Sequence, residues 1–507
     1  MPADDLLTPA PTTSPPPPPP PSTWARLRPL VLRLHFYAGV LVAPFLLVAA
    51  VSGTLYAATP QIEEALHRHQ LHVTPSATQL PLAEQVRAAV DARGGAAPVA
   101  VRPAPTPSDT TRVLFADAAL GESERAAVFV DPGTGEVRGQ LTVYGTSGAL
   151  PLRTWVDQLH RDLHLGAPGR LYSELAASWL WVLTLSGLGL WAARRWSRRA
   201  APDGARRAAG GRGGRDRTRT LHAVVGTWIA VGLLALSATG LTWSTYAGAR
   251  VTDLRGALSW QTPAVNTTLP GTAGGTVAGG HEGHAGHAGH EGHEAAADPA
   301  VTPAAFEEVL ATARAAGLTA AKIEVRAPAA AGAAWKVDEV DRGLRTRVDS
   351  AAIALTTTAT GQVLDGQVLD VVRFADHPFP AKLARWGVDL HSGSFGLGNQ
   401  LVLVALGLGL TAVVLWGYRL WWLRRPDPAR RLSAGPPAHR GAWRHLPAPV
   451  LAAVVVVTVA VGWALPLLGV SLLAFLAVDV ALGAAHRARG RRAPAPTTGD
   501  RRSGNPG

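Results

Sequence analysis

Leu34-His35-Phe36-Tyr37-Ala38-Gly39 is written a second time as Leu221-His222-Ala223-Val224-Val225-Gly226. In each copy a further glycine, Gly53 or Gly240, follows eighteen residues after the histidine, and the residues between are almost all apolar. A second pair repeats as well. Asp162-Leu163-His164-Leu165-Gly166 is matched by Asp389-Leu390-His391-Ser392-Gly393, and each leads into a long apolar run. The chain therefore reads as an internally duplicated, α-helical polytopic membrane protein with four histidines at equivalent places in its two halves.

Apolar residues make up 47% of the 507, gathered into runs at 34–58, 171–193, 221–246, 399–423 and 447–484. A helix needs roughly 20 apolar residues to cross a bilayer. The last run is too long for one crossing and is interrupted between Gly462 and Pro466, so it divides into spans at 447–464 and 466–484. Six spans are expected. Ten arginines crowd residues 194–219, and further arginines flank the first and fourth spans. Positive charge in short loops marks the cytoplasmic side. Both termini are then cytoplasmic, and the long loops 59–160 and 247–390 lie outside the cytoplasmic (inner) membrane. The net charge of +12 is this topology signal. No nucleic-acid-binding motif accompanies it.

Residues 1–23, with Pro15 to Pro21 unbroken, and the Arg-rich stretch 485–507 read as disordered tails. Each external loop has a helix-like stretch followed by strand-like runs. In the first, Asp131-Pro132-Gly133-Thr134-Gly135 supplies the turn chemistry between two strands. Each loop is expected to be a small α+β domain. The second also carries a Gly/Ala/Glu tract with His281, His284, His287, His290 and His293. Imidazoles at that density would loosely hold a divalent metal such as Zn²⁺, Cu²⁺ or Ni²⁺; the bland alternative is a linker that happens to be rich in histidine.

A single histidine near the end of a membrane helix is ordinarily interfacial. Four at matched heights point to a shared chemistry. His35 and His222 open spans that start inside, whereas His164 and His391 precede spans that start outside, which places one imidazole pair near each face. Cysteine is absent and Met1 is the only methionine, excluding disulfides, iron–sulfur clusters and covalent haem attachment. Two imidazoles on opposite faces of a porphyrin make a bis-His b-type haem, and two such sites are expected. Gly39 and Gly226, one turn beyond the inner histidines, would leave room for the macrocycle or else mark helix–helix contacts. His160, one turn before His164, is an alternative ligand or a supporting group, with Gly387 at its matching place in the second half. His67, His69 and His72 read as a solvated cluster or an external metal site. Asp479, within the last span, is either functional or reaches water.

These motifs, with the Asp131 to Glu136 turn and the closing Leu465-Pro466-Leu467-Leu468-Gly469-Val470-Ser471 segment, resemble the PepSY-associated transmembrane family over about 30–485. That family includes iron-regulated membrane proteins and inner-membrane ferric-siderophore reductases. The resemblance implies PepSY-like external domains and, for the reductase branch, haem held by His35, His164, His222 and His391. The implied activity is reduction of an extracytoplasmic ferric siderophore in iron uptake. Residues 210–214 are glycine-rich but follow no strand, so no dinucleotide site is expected. Electrons would come from a membrane quinol or a cytoplasmic reductase docking on the Arg-rich loop 194–220. The rival readings are a non-catalytic membrane protein whose PepSY domains bind a partner or protease, and a metal-binding or transport-assisting protein built on the His-rich tract.

Overall fold

The structure is a computed structural model that describes residues 22–200, 214–270, 301–341, 349–357, 363–424 and 446–492. The Pro-rich tail, the middle of the Arg-rich loop, the His-rich tract 281–293 and the last residues of the chain lie outside the described residues.

The membrane part is built from long apolar helices. Helix α1 (Thr23–Leu66) runs for 44 residues, about 66 Å at 1.5 Å per residue. That is roughly twice the bilayer core, so its far end projects as a stalk. A four-residue turn, α2 (Arg68–Leu71), follows it. Helices α5 (Ala167–Ala200), α6 (Gly214–Leu241) and α10 (Leu397–Trp422) complete a four-helix ring. Within it α1 and α6 each pack on both α5 and α10, and so stand diagonally. Its centre is apolar and includes Val42, Leu46, Leu180, Leu233 and Leu410.

Beyond the ring, α11 (Ala448–Ala464) and α12 (Pro466–Arg492) form a hairpin closed by contact between Gly462 and Gly469. Five helices, α1, α5, α6, α10 and the Pro466–Ala485 part of α12, are long and apolar enough to cross a membrane. The protein is a multi-pass membrane protein. Where six crossings were expected, α11 has only 17 residues, about 26 Å of helix, slightly less than the thickness of the hydrocarbon core.

At one end sits a sheet. The first external segment gives α3 (Leu82–Ala92) and strands β1 (Pro98–Arg102), β2 (Thr111–Phe115), β3 (Glu124–Val130) and β4 (Val137–Tyr144). The second gives α7 (Tyr246–Ala257), α8 (Pro303–Ala315) and strands β5 (Ile323–Arg326), β6 (Trp335–Glu339), β7 (Ser350–Thr357) and β8 (Val363–Val372). Helix α8 starts at Thr302, whose side chain accepts from the Ala305 N–H, with Pro303 at the first helical position.

The two segments were expected to fold as separate small domains. Instead β1 pairs antiparallel with β5, and one eight-stranded sheet runs β4-β3-β2-β1-β5-β6-β7-β8. Edge strands carry unpaired N–H and C=O groups; here the two meanders satisfy each other's. One core lies under both halves, with Val86 and Ala89 of α3 meeting Phe306 and Val309 of α8. A charge cluster fastens the joint. Glu324 of β5 accepts from Arg102 of β1 at 2.5 Å and also binds Arg326.

Short helices connect sheet to bundle. They are α4 (Pro151–Asp162), packed on α1 and α5, and α9 (Phe379–His391), packed on α6.

Candidate redox site

The histidines meet in two pairs. His35 of α1 and His222 of α6 face each other across the bundle, with ring centres 6.4 Å apart and planes at 85°. The second pair is His160 of α4 with His391 of α9, at 6.5 Å and 61°. Ser52 touches His160, and Thr239 touches His391. Each lies seventeen residues along its helix from His35 or His222, about 26 Å. One pair therefore sits towards the end away from the sheet and the other beneath the sheet.

His164, matched to His391 by the repeated Asp-Leu-His motif, is not in the second pair. In the first half α4 stops at Asp162, and Leu163 and His164 both take left-handed backbone with φ of 56°. The turn leaves His164 exposed, its ring 5.0 Å from Trp155. In the second half the helix continues through His391. The same three letters thus fall inside a helix once and at a helix end once. A different spacing carries the structural match: Trp155 and Leu159-His160 stand in the same relation as Trp386 and Leu390-His391. That signal was available in the sequence but lay beneath the longer Asp-Leu-His resemblance.

Hydrogen bonding assigns the tautomer of every ring. His35 Nδ1 lies 2.9 Å from Ser186 Oγ, whose own proton goes to Leu183 O at 3.1 Å. His160 Nδ1 lies 2.9 Å from Ser52 Oγ, which donates to Val48 O at 2.7 Å. His391 Nδ1 lies 2.8 Å from Thr239 Oγ1, which donates to Ala235 O at 2.8 Å. A hydroxyl has one proton to give, so each of these oxygens accepts from its imidazole. His222 Nδ1 meets the Val413 carbonyl at 2.9 Å, and a carbonyl can only accept. All four rings therefore carry the proton on Nδ1 and a lone pair on Nε2. A metal-binding imidazole is held by its second nitrogen in this way.

Four glycines make room for the rings. A Cβ at Gly187 or Gly53 would stand 3.1 Å from the Cε1 of His35 or His160. At Gly417 and Gly240 the same atom would stand 3.7 Å from His222 and 3.5 Å from His391. Gly39 and Gly226, expected to serve this purpose, instead face Leu183 and Val413.

Helices α4 and α9 lie outside the long apolar helices. There burial pushes the His391 imidazole down to about 4, with the His160 ring adding to the shift. Burial also lowers His160, against the opposing pull of Asp157. Both rings are then neutral near pH 7, the form that binds metal. Two imidazoles bound to opposite sides of one metal place their ring centres roughly 6 Å apart, given metal–nitrogen bonds of about 2 Å. Both pairs match that span, and the chain offers no thiolate or internal thioether to compete.

The other candidates are tied into the fold. Asp479 of α12 forms an ion pair with Arg33 of α1, two residues before His35, and Phe475 packs on Tyr37 beside it. His72 bonds Glu64 and, at 3.1 Å, Asp109, while His69 Nδ1 lies 2.9 Å from Arg138. Among the described residues no group of three or more His, Cys, Asp or Glu side chains is arranged to hold a metal ion. The five histidines at 281–293 lie outside the described residues.

Comparison with known families gives a match between residues 32–424 and the PepSY-associated TM region, more than three-quarters of the chain. It includes all four paired histidines and stops before the α11–α12 hairpin. A search of curated proteins returns no match.

Proposed function

The chain belongs to the PepSY-associated TM family, and from that premise we propose that it is a membrane electron-transfer protein with one b-type haem per histidine pair. His35 and His222 hold the haem away from the sheet, and His160 and His391 hold the one beneath it. This replaces His164 by His160 in the external site. The observation that carries the reading is the double coincidence at both pairs. Ring centres stand 6.4 and 6.5 Å apart, and all four Nδ1 atoms are committed to hydrogen-bond acceptors.

Haem bound there supplies one-electron chemistry at two depths of the bundle. The chain's own residues orient the imidazoles, keep them neutral and exclude water. Apolar side chains fill the space between the pairs. Such a layout moves electrons along the bundle axis and suits reduction of an extracytoplasmic ferric chelate, a siderophore complex in iron uptake. Ferrous iron is held far less tightly than ferric iron by hard oxygen donors, so reduction releases it. In this reading α11 is the sixth crossing, both termini face the cytoplasm, and the joined sheet comprises two PepSY-like units on the outer side of the inner membrane. A membrane quinol or a cytoplasmic reductase is the donor.

The test is the visible spectrum of the purified protein, oxidised and dithionite-reduced, with haem counted per chain. Two b-type haems are expected in the wild type, and one in His160→Ala or His35→Ala. His164→Ala retains both. A colourless wild type, or loss of a haem on His164→Ala but not His160→Ala, overturns the assignment.

A further inference from the structure

Beside the external pair, where the sheet meets the bundle, a cleft of about 220 Å³ opens between the start of β3, the end of β4, α4 and the first turn of α5. Its polar lining includes Tyr144, Gln158, Arg161 and Arg170, with Glu122 and Glu124 across from them. Arg161 immediately follows His160, so the cleft lies on the neighbouring face of the same helix. A helix with its side chains is about 10 Å across, and anything seated in the cleft comes within about that distance of the imidazole.

The arrangement of charge favours an anion. Arg161 Nη1 donates to Tyr144 Oη at 2.7 Å, which leaves the phenol proton to be given elsewhere. Its acidic neighbours hold it loosely, Asp162 at 3.5 Å and Asp157 at 4.0 Å. The Arg161 carbonyl accepts from Ser173 Oγ at 2.6 Å, which fixes the end of α4 against α5 and sets the spacing of Arg161 from Arg170. Of the two glutamates, Glu124 turns back to accept from the Gly121 N–H at 3.0 Å, and Glu122 is exposed at the rim. Two guanidinium groups, a phenol and an amide thus converge on a recess with one carboxylate occupied and the other in solvent. Guanidinium groups favour carboxylates through paired, charge-assisted hydrogen bonds.

We propose that this cleft is the docking site for the substrate, and that it takes a carboxylate-bearing ferric chelate through one carboxylate arm. The substrate role rests on the electron-transfer reading above; the binding preference stands on the cleft alone. At 220 Å³ the recess is smaller than a typical drug-sized pocket. It accommodates a citrate-sized group and leaves the rest of a larger chelate outside.

The test uses the full-length protein in detergent with gallium citrate, a redox-inert stand-in for the ferric complex, titrated by calorimetry. A cationic gallium trihydroxamate serves as the second probe. Gallium citrate binds the wild type, Arg170→Gln weakens it about 10-fold, and Glu122→Gln tightens it two- to threefold. The trihydroxamate responds weakly or in the opposite sense. Arg161→Gln also disturbs the support of α4, so the sign reversal between Arg170→Gln and Glu122→Gln decides the matter. No gallium citrate binding to the wild type, or the same response of both probes to either substitution, overturns the proposal. Because gallium is not reduced, this outcome is independent of the haem spectrum. A wild type without haem that still shows the sign reversal sinks the electron-transfer reading and leaves the anion site standing.

Discussion

Adding a single methyl group at each of the four glycines beside the histidines separates a placed ring from a merely nearby one. At Gly53 and Gly187 an alanine Cβ would lie 3.1 Å from the imidazole Cε1, so the ring must give by a few tenths of an ångström. At Gly240 and Gly417 the corresponding distances, 3.5 and 3.7 Å, are ordinary contacts. Glycine to alanine inside a helix contributes about 1 kcal/mol of stability from propensity. His160 cannot move away from Gly53 without stretching its 2.9 Å bond to Ser52, the residue immediately before that glycine. A neutral hydrogen bond contributes about 0.5–1.5 kcal/mol, so at Gly53 the two effects nearly cancel. His35, held at 2.9 Å by Ser186, the residue before Gly187, behaves alike. Gly240→Ala and Gly417→Ala should therefore raise the melting temperature in detergent with unchanged spectra and midpoint potentials. Gly53→Ala and Gly187→Ala should show little or no gain, with a shifted potential at the site each adjoins. Equal stabilisation by all four substitutions, with unaltered spectra, would refute the placement of the rings.

Three further outcomes follow from other contacts. Ser52→Ala and Thr239→Val each remove the acceptor of an Nδ1–H; haem affinity at the external site should fall roughly 10- to 100-fold, measured by haem loss to apomyoglobin, while the His35 site is unaffected. Burial tends to raise the Glu324 carboxyl, but Arg102 and Arg326 overcome this and hold it below its ordinary value. Its stabilising contribution is complete above about pH 4.3 and is lost as pH falls through the depressed folded value. Glu324→Gln should flatten that acid loss and, by unpairing buried arginine at the β1–β5 joint, lower stability near pH 7 by up to about 3–5 kcal/mol, read from denaturant melts at both pH values. Asp479→Leu should destabilise the protein by leaving the Arg33 charge uncompensated, and the double variant Arg33→Leu/Asp479→Leu should recover most of the loss in thermal melts. Additive losses would show that the two charges do not interact.

Much of this molecule is determined locally and was legible along the chain. Apolar length specifies the long helices, and the repeats of His35 in His222 and of Gly53 in Gly240 reveal the duplication. The turn at Asp131, where the side chain accepts from the Gly133 N–H at 2.7 Å, specifies the β3–β4 connection. The absence of cysteine leaves imidazole as the only strong ligand. Two other matters belong to the tertiary structure. Whether His160 or His164 faces His391 depends on where α4 ends, and it ends at Asp162 because Leu163 turns left-handed to bring α5 back onto α1. No motif match contains that choice, since a helix places neighbours four residues apart on one face and a turn abolishes the relation. The joining of the two sheets is likewise non-local. β1 and β5 lie more than two hundred residues apart, and only when the bundle has brought the two external segments to the same end can each supply the other's missing hydrogen bonds.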